Sequence, residues 1–125
     1  MKDQADTADP RVRQRMAKIE TGYMIGRDMV LRNVLRQTPF PQYSAITKTW
    51  CTEFEQEVAE FVGDIAGADT MLWNRVARNV VYAPAYTIMG GTTQILRNIM
   101  GEQMLGLPGE PRVDKEIPGI DVPRS

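Results

Sequence analysis

The stretch of this chain whose residue types could do chemistry is Thr87 to Pro108, TIMGGTTQILRNIMGEQMLGLP. Gly90-Gly91 stands immediately before a helical pattern whose first turn is Thr92-Thr93-Gln94. Unbonded backbone N–H groups and hydroxyls converge at such a place, at the positive end of a helix dipole. They can receive an anion or the carbonyl-rich edge of a ligand. Glycines without Cβ atoms let a flat ligand approach the backbone. The pattern is neither a dinucleotide fingerprint nor a phosphate loop with its Lys, and a plain glycine turn with a threonine cap satisfies it equally.

Other reactive side chains read as structure. Glu53, Glu55, Glu57 and Glu60 form a dense cluster of the kind a helix turns to solvent. Glu102 has an exposed role by the same reasoning. Cys51 is the only cysteine, beside Trp50, and with no His in the chain to activate it a buried, inert thiol is expected. Trp50 and Trp73 sit at helical spacing with other apolar residues and read as core. Arg11, Arg13, Arg15 and Lys18 make a basic, exposed opening to the first helix, with phosphate contact across a subunit interface as the sharper option. The eight Met residues suit irregular gaps between helices.

The elements that must position these groups follow from periodicity and punctuation. Asp9-Pro10 reads as N-cap and first helical residue. Val12, Met16, Ile19, Tyr23, Gly26, Val30 and Val34 then recur at steps of three and four, a helix face predicted to run to Arg36, with Pro39 and Pro41 as stops. Met24, Met29, Leu31 and Leu35 widen that stripe. A second helix is predicted from a Ser44 cap to Ile65, with Ile46, Trp50, Phe54, Val58, Phe61 and Ile65 on one face and Gly67 ending it in a left-handed conformation. Asp69 reads as the cap of a third, shorter helix burying Leu72, Trp73, Val76, Ala77 and Val80 and closed by Pro84. Ala83 to Gly91 reads as loop. Thr92 or Thr93 caps a fourth helix carrying Ile95, Leu96, Ile99, Met100 and Met104, ended by Leu107-Pro108-Gly109. The expected fold is all-α, an incomplete antiparallel four-helix bundle over residues 10–107, with polar tails at 1–9 and 108–125. Two long and two short helices leave apolar surface for a further partner.

Composition bounds the function. The 125 residues amount to one domain, 42% hydrophobic and 25% charged. A net charge of −1 gives no general attraction to nucleic acid or anionic lipid. The absence of His and the single Cys exclude histidine acid–base chemistry, a disulfide within the chain and a thiolate zinc site. No metal site is expected, nor a membrane span, since no apolar run approaches about 18 residues. The polar start MKDQADTADP lacks the apolar core of a signal peptide, and a cytoplasmic location is expected.

Three stretches resemble the C-terminal helical domain of the acyl-CoA dehydrogenase family. SAITKTWCTEFEQEVAEFVGDIAG (44–67) resembles the family's second-to-last long helix, with its Ser-x-x-x-Lys opening, aromatic, Glu and closing Gly. TIMGGTTQILRNIMGEQMLGLP resembles the flavin- and substrate-contacting loop and final helix, with the Leu-Gly-Leu-Pro ending. VRQRMAKIETGYMIGRDMVLRNVLR matches the preceding helix more loosely. The likeness covers about residues 10 to 112 and is closest in flavour to actinobacterial-type members. It implies FAD bound at a subunit interface and removal of two hydrogens from the α,β bond of an acyl-CoA. A carboxylate would take the α-proton and flavin N5 the β-hydride. On matching positions it implies a substrate-thioester contact at Gly91 and FAD contacts at Thr92, Thr93, Gln94 and, near the turn from Asp64 to Ala68, Gly67.

This chain departs from the family at the catalytic position. One branch has its Glu directly before the Gly-Thr, where this chain has Gly90, and glycine cannot remove a proton. Another branch has it on the domain's first long helix, which would lie before residue 1. Asp64 stands where Gln is common and Gly67-Ala68 where Gly-Gly is, and an acid is unfavourable beside FAD phosphates. The resemblance therefore implies part of an FAD-dependent dehydrogenase, with no catalytic residue of its own, inactive and not retaining FAD as an isolated chain. Other dehydrogenase subunits or N-terminal domains would complete it in a homo- or hetero-oligomer. The alternatives are a non-catalytic helical interaction module and a catalytically depleted partner subunit.

Overall fold

A computed structural model of the chain describes residues 8–37 and 42–109. Those residues are all-α, with no strand among them. Helix α1 spans Pro10–Val34, α2 Tyr43–Ala66, α3 Arg75–Tyr86 and α4 Thr93–Ile99. A 3₁₀ turn, Gly67–Met71, follows α2, and a wide π turn, Met100–Met104, continues α4. Most of both expected tails, and the proline stops Pro39 and Pro41, lie outside the described residues.

The start of α1 is as the sequence predicts. Asp9 caps it, its carboxylate accepting the Arg11 N–H at 2.8 Å, and Pro10 opens the first turn. The side-chain hydrogen bond from Arg11, with its N–H, holds the Asp9 carboxyl below its usual range. The helix ends two residues before the expected Arg36. Arg36 adopts a left-handed φ of 53°, so that the Gln37 N–H reaches the Arg32 carbonyl at 2.9 Å and its own N–H the Asn33 carbonyl at 3.1 Å. This doubled closure is normally made by glycine.

The side of α1 that packs on α2 shares Val12, Ile19 and Gly26 with the predicted stripe but not its other members. Gly22 and Gly26 are its buried residues. Val12, Ile19, Met29 and Asn33 are half-buried beside them, whereas Met16, Tyr23, Val30 and Val34 are exposed. The reason is distance. A Cβ added to Gly22 would lie 2.3 Å from Cε2 of Phe54, so α1 approaches α2 at a glycine and turns its bulkier stripe aside.

Helix α2 is the element on which α1, α3 and α4 all pack. It begins at Tyr43, with no side-chain cap, so the expected Ser44 cap is not formed. A tight turn does that work, the Ala45 N–H bonding the Gln42 carbonyl at 2.8 Å. Ala45, Thr47, Thr49, Ala59 and Phe61 are buried along it. Gly67 ends it at φ 54°, as expected. Trp50, expected in the core, remains 39% exposed.

The third helix is placed later than expected. Asn74 caps it, its side-chain oxygen accepting the Ala77 N–H at 3.0 Å. The Asp69 carbonyl is taken up by the Leu72 N–H and the Asn74 amide, which closes a 3₁₀ turn there. Leu72 and Trp73 consequently precede α3 and are exposed, while Val76, Ala77 and Val80 keep their inward side. Pro84 lies inside α3 rather than ending it. Its missing N–H costs one hydrogen bond. Its carbonyl accepts both the N–H and the hydroxyl of Thr87, at 3.2 and 2.8 Å, and Ala83 beside it is buried.

In α4 Thr92 is the cap, accepting the Ile95 N–H at 3.2 Å, and Leu96 is buried while Ile95 is exposed. The Leu-Gly-Leu-Pro ending has a physical account. Gly106 turns left-handed at φ 67°, and the Leu107 N–H returns to the Gly101 carbonyl at 3.0 Å. The Leu107 side chain covers Gly101, and Pro108 cannot extend the helix.

The two glycines of α1 separate packing from propensity. Gly22→Ala should destabilise the fold by about 1–3 kcal/mol through overpacking on Phe54. Gly26→Ala, whose added methyl meets Trp50 and Cys51 at ordinary contact distance, should be neutral or slightly stabilising. Denaturant unfolding of both variants, followed by circular dichroism, checks the contrast.

Candidate functional site

Three elements meet at the Gly90-Gly91 turn. Both glycines have left-handed backbones, φ 65° and 97°, which no other residue adopts without strain. A Cβ on Gly90 would meet nothing within 4 Å, and one on Gly91 would only touch Leu96. The backbone conformation, rather than crowding, therefore requires glycine here.

Side chains of α2 hold this turn in place. The Lys48 ammonium donates to the Gly91 carbonyl at 2.8 Å. The Gln56 amide donates to the Thr87 hydroxyl at 3.4 Å. Across the loop, the Thr93 N–H bonds the Thr87 carbonyl at 3.0 Å and closes it on itself. Lys48 and Gln56 are separated by two steps of four, so both lie on one side of α2.

The expected site residues are thus gathered, with distinct tasks. Thr92 spends its side-chain oxygen on the cap. Thr93 is buried at 5% exposure, and its hydroxyl donates to the Gln94 side-chain carbonyl at 3.3 Å. Gln94 is exposed, with its amide nitrogen still available. The N–H groups of Gly90 and Gly91 bond to none of the described residues. The donors at this turn without a partner among the described residues therefore include the Gly90 and Gly91 N–H groups and the Gln94 carboxamide.

Gly67 does not join this cluster. It lies at the far end of α2, 19 residues from Lys48, or about 28 Å along the axis. Asp64 beside it is exposed and pairs with Arg15 at 2.5 Å, while the Arg15 guanidinium lies 4.9 Å over the Phe61 ring. Lys18 pairs with Glu57, Arg97 with Glu53 and Arg11 with Asp9. The basic opening of α1 is therefore largely spent on carboxylates. Cys51 is half-buried, and burial followed by the charge of Glu55 pushes its thiol pKa up, away from reactivity. An open groove of ≈ 390 Å³ runs between α1 and α2, lined by Gly22, Ile25, Trp50 and Phe54 with Lys18, Glu53 and Glu57 at its rim.

In the sequence Lys48 stands out only through the Ser-x-x-x-Lys opening of this helix, and Gln56 carries no individual signal. The available signal was the row Lys48, Thr52, Gln56, polar residues at helical spacing on a helix packed on several sides.

Removing the clamp should loosen the turn selectively. Lys48→Met should cost about 1 kcal/mol locally and speed amide hydrogen exchange at Thr93, whose N–H closes the loop, by roughly fivefold, leaving α1 protection unchanged.

Residues 3–105 match the family model described as "Acyl-CoA dehydrogenase, C-terminal domain". The chain is 28% identical over 110 residues to acyl-CoA dehydrogenase IpdE1 of Mycolicibacterium smegmatis, covering 82% of this chain and 27% of that protein. It is 29% identical over 89 residues to acyl-CoA dehydrogenase FadE34 of Mycobacterium tuberculosis, covering 71% and 12%. It is 28% identical over 113 residues to IpdE1 of the same organism, covering 82% and 28%. The chain thus spans little more than a quarter of the length of these relatives or less. No solved structure matches it. Among the described residues, no helix is long and apolar enough to cross a membrane. With a glycine turn clamped to its central helix and a family model matched over most of its length, the chain belongs to the acyl-CoA dehydrogenase C-terminal domain family.

Proposed function

We propose that this chain supplies the C-terminal helical part of an FAD-dependent, cytoplasmic acyl-CoA dehydrogenase and holds one edge of its flavin and thioester site. The observation that carries this reading is the Lys48–Gly91 clamp, which presents a pair of left-handed glycines with unbonded N–H groups beside Gln94.

The donor set fits the group. The Gly91 carbonyl is neutralised by Lys48 and so does not repel an electron-rich ligand edge. The open space at Gly90 admits a flat partner. The N–H groups of Gly90 and Gly91 would orient the thioester, and Gln94, steadied by Thr93 behind it, would hold the flavin edge. Thr92 fixes the start of α4 under them. Gly67, at the other end of α2, serves a second cofactor site, one belonging to a neighbouring subunit. When bound, FAD supplies the acceptor for the β-hydride. The base that takes the α-proton comes from outside this chain, since Gly90 offers none. Acyl-CoA is the substrate, and other dehydrogenase subunits or N-terminal domains complete the site.

A second reading, a non-catalytic helical interaction module or catalytically depleted partner subunit, is favoured by the wide exposed apolar surface of α1. Flavin separates the two. The purified chain alone should be colourless. Co-expression with candidate dehydrogenase subunits should give a yellow complex whose flavin absorbance bleaches with an acyl-CoA. In that complex Gly91→Val should raise the acyl-CoA KM at least tenfold with flavin content retained. Stoichiometric flavin and turnover by the chain alone would contradict the proposal, as would a Gly91 variant that bleaches normally.

A further inference from the structure

Met71, Leu72 and Trp73 are consecutive, and all three stand in water, at 88%, 65% and 78% exposure. A run of large apolar side chains left outside is unfavourable unless something covers it. The backbone beneath the run is braced. The Leu72 N–H bonds the Asp69 carbonyl at 3.2 Å, and the Asn74 amide donates to the same oxygen at 2.7 Å. These side chains therefore belong to a fixed turn between α2 and α3.

Unspent positive charge lies beside them. Arg75 and Arg78, in the first turn of α3, are exposed, and neither makes an ion pair or hydrogen bond among the described residues, whereas Arg15, Lys18 and Arg97 each have a carboxylate partner. That first turn contains no acid. Asp69, the carboxylate nearest in sequence, already has a partner. The N–H groups of Arg75 and Val76 bond to none of the described residues, so the positive end of the helix dipole adds to the two guanidinium groups. Arg75, Arg78, Tyr82 and Tyr86 recur at steps of three and four and share one side of α3. With Trp73 and Asn79 they line an open hollow of ≈ 790 Å³.

We infer that the Met71–Trp73 turn and the start of α3 form a docking surface for an anionic phospholipid membrane. Met71, Leu72 and Trp73 enter the boundary between headgroups and acyl chains, where the amphipathic indole is favoured. Arg75 and Arg78 receive lipid phosphates, to which a guanidinium presents paired donors. The hollow between Trp73 and the two tyrosines admits a headgroup. An apolar tip beside a cationic helix start matches the layering of a bilayer, acyl chains beneath phosphates. The chain lies on this surface, since no helix among the described residues is long and apolar enough to cross it. The net charge of −1 supplies no overall attraction. Charges farther than about 10 Å from the contact are screened at 0.1 M salt, so the two unpaired arginines supply it locally. This inference needs neither flavin nor acyl-CoA and stands apart from the proposed function.

The test uses the full chain without cofactor and vesicles of two compositions, phosphatidylcholine alone and an equal mixture with phosphatidylglycerol. Co-sedimentation at low salt should show binding to the mixed vesicles, at least tenfold weaker binding to phosphatidylcholine, and a loss of binding as salt is raised. Tryptophan emission should shift to the blue on the mixed vesicles. In Trp73→Phe, which retains Trp50, that shift should vanish. Arg75→Gln with Arg78→Gln should weaken binding at least tenfold. Arg27→Gln with Arg32→Gln removes the same charge from α1 and should leave binding within about twofold. All the replaced side chains are exposed, and circular dichroism checks that the helices persist. A chain that ignores both vesicles, as a surface meant for a protein partner would, overturns the inference. So does an equal loss from the two arginine pairs, or a blue shift that survives Trp73→Phe.

Discussion

A helix packed on several sides must have small or apolar residues on several sides, and α2 meets that constraint with Ala45, Thr47, Thr49, Ala59 and Phe61. The rest of the molecule takes its position from it. Where α1 crosses it, Gly22 removes the Cβ that Phe54 would strike, and where α3 crosses it, Gly63 lies against Val80. The buried partners beyond α2, Ala77, Ala83 and Leu96, are mostly small as well. Close approach of backbones, rather than interlocking of large side chains, holds these helices together. The larger apolar residues are left toward the outside, among them Tyr23, Trp73, Val81 and Ile88.

The candidate site inherits this arrangement. The loop after α3 has no large core of its own, and it is fixed by two side chains reaching from α2 and by its own Thr93–Thr87 closure. Lys48 is suited to the task because its long stem carries an ammonium to the loop, where it satisfies the Gly91 carbonyl. The division between Thr92, which caps, Thr93, which is buried, and Gln94, which is exposed, follows from three successive positions at a helix start pointing in three directions. The Gly67 turn belongs to a different end of the molecule, where Asp64 is already engaged by Arg15.

The four helices, the Asp9-Pro10 start, the left-handed Gly67 and the Thr92 cap were legible in the sequence because each rests on local chemistry. The orientation of α1 was not. Its sequence contains two overlapping apolar stripes, and periodicity favours the bulkier one, whereas packing selected the one that permits the shorter distance. Asp69 and Asn74 are both good caps, and only the 3₁₀ turn that consumes the Asp69 carbonyl decides between them. Pro84 carried a strong local signal for a helix end that tertiary burial of Ala83 overrode. At the site, the Gly-Gly-Thr-Thr-Gln segment was visible as residue types, but its tether was not, since Lys48 lies 43 positions from Gly91 and no local pattern links them.

The backbone at Gly90 couples two properties of the site. An L side chain at Gly90 would be strained at φ 65°, and a backbone that relaxed there would shift the segment that follows, including the Gly91 carbonyl held by the Lys48 ammonium. The glycine that offers no acid at this point is thus also the residue that holds this turn without strain. Installing a proton acceptor there would set backbone strain against the hold of Lys48 on the same loop.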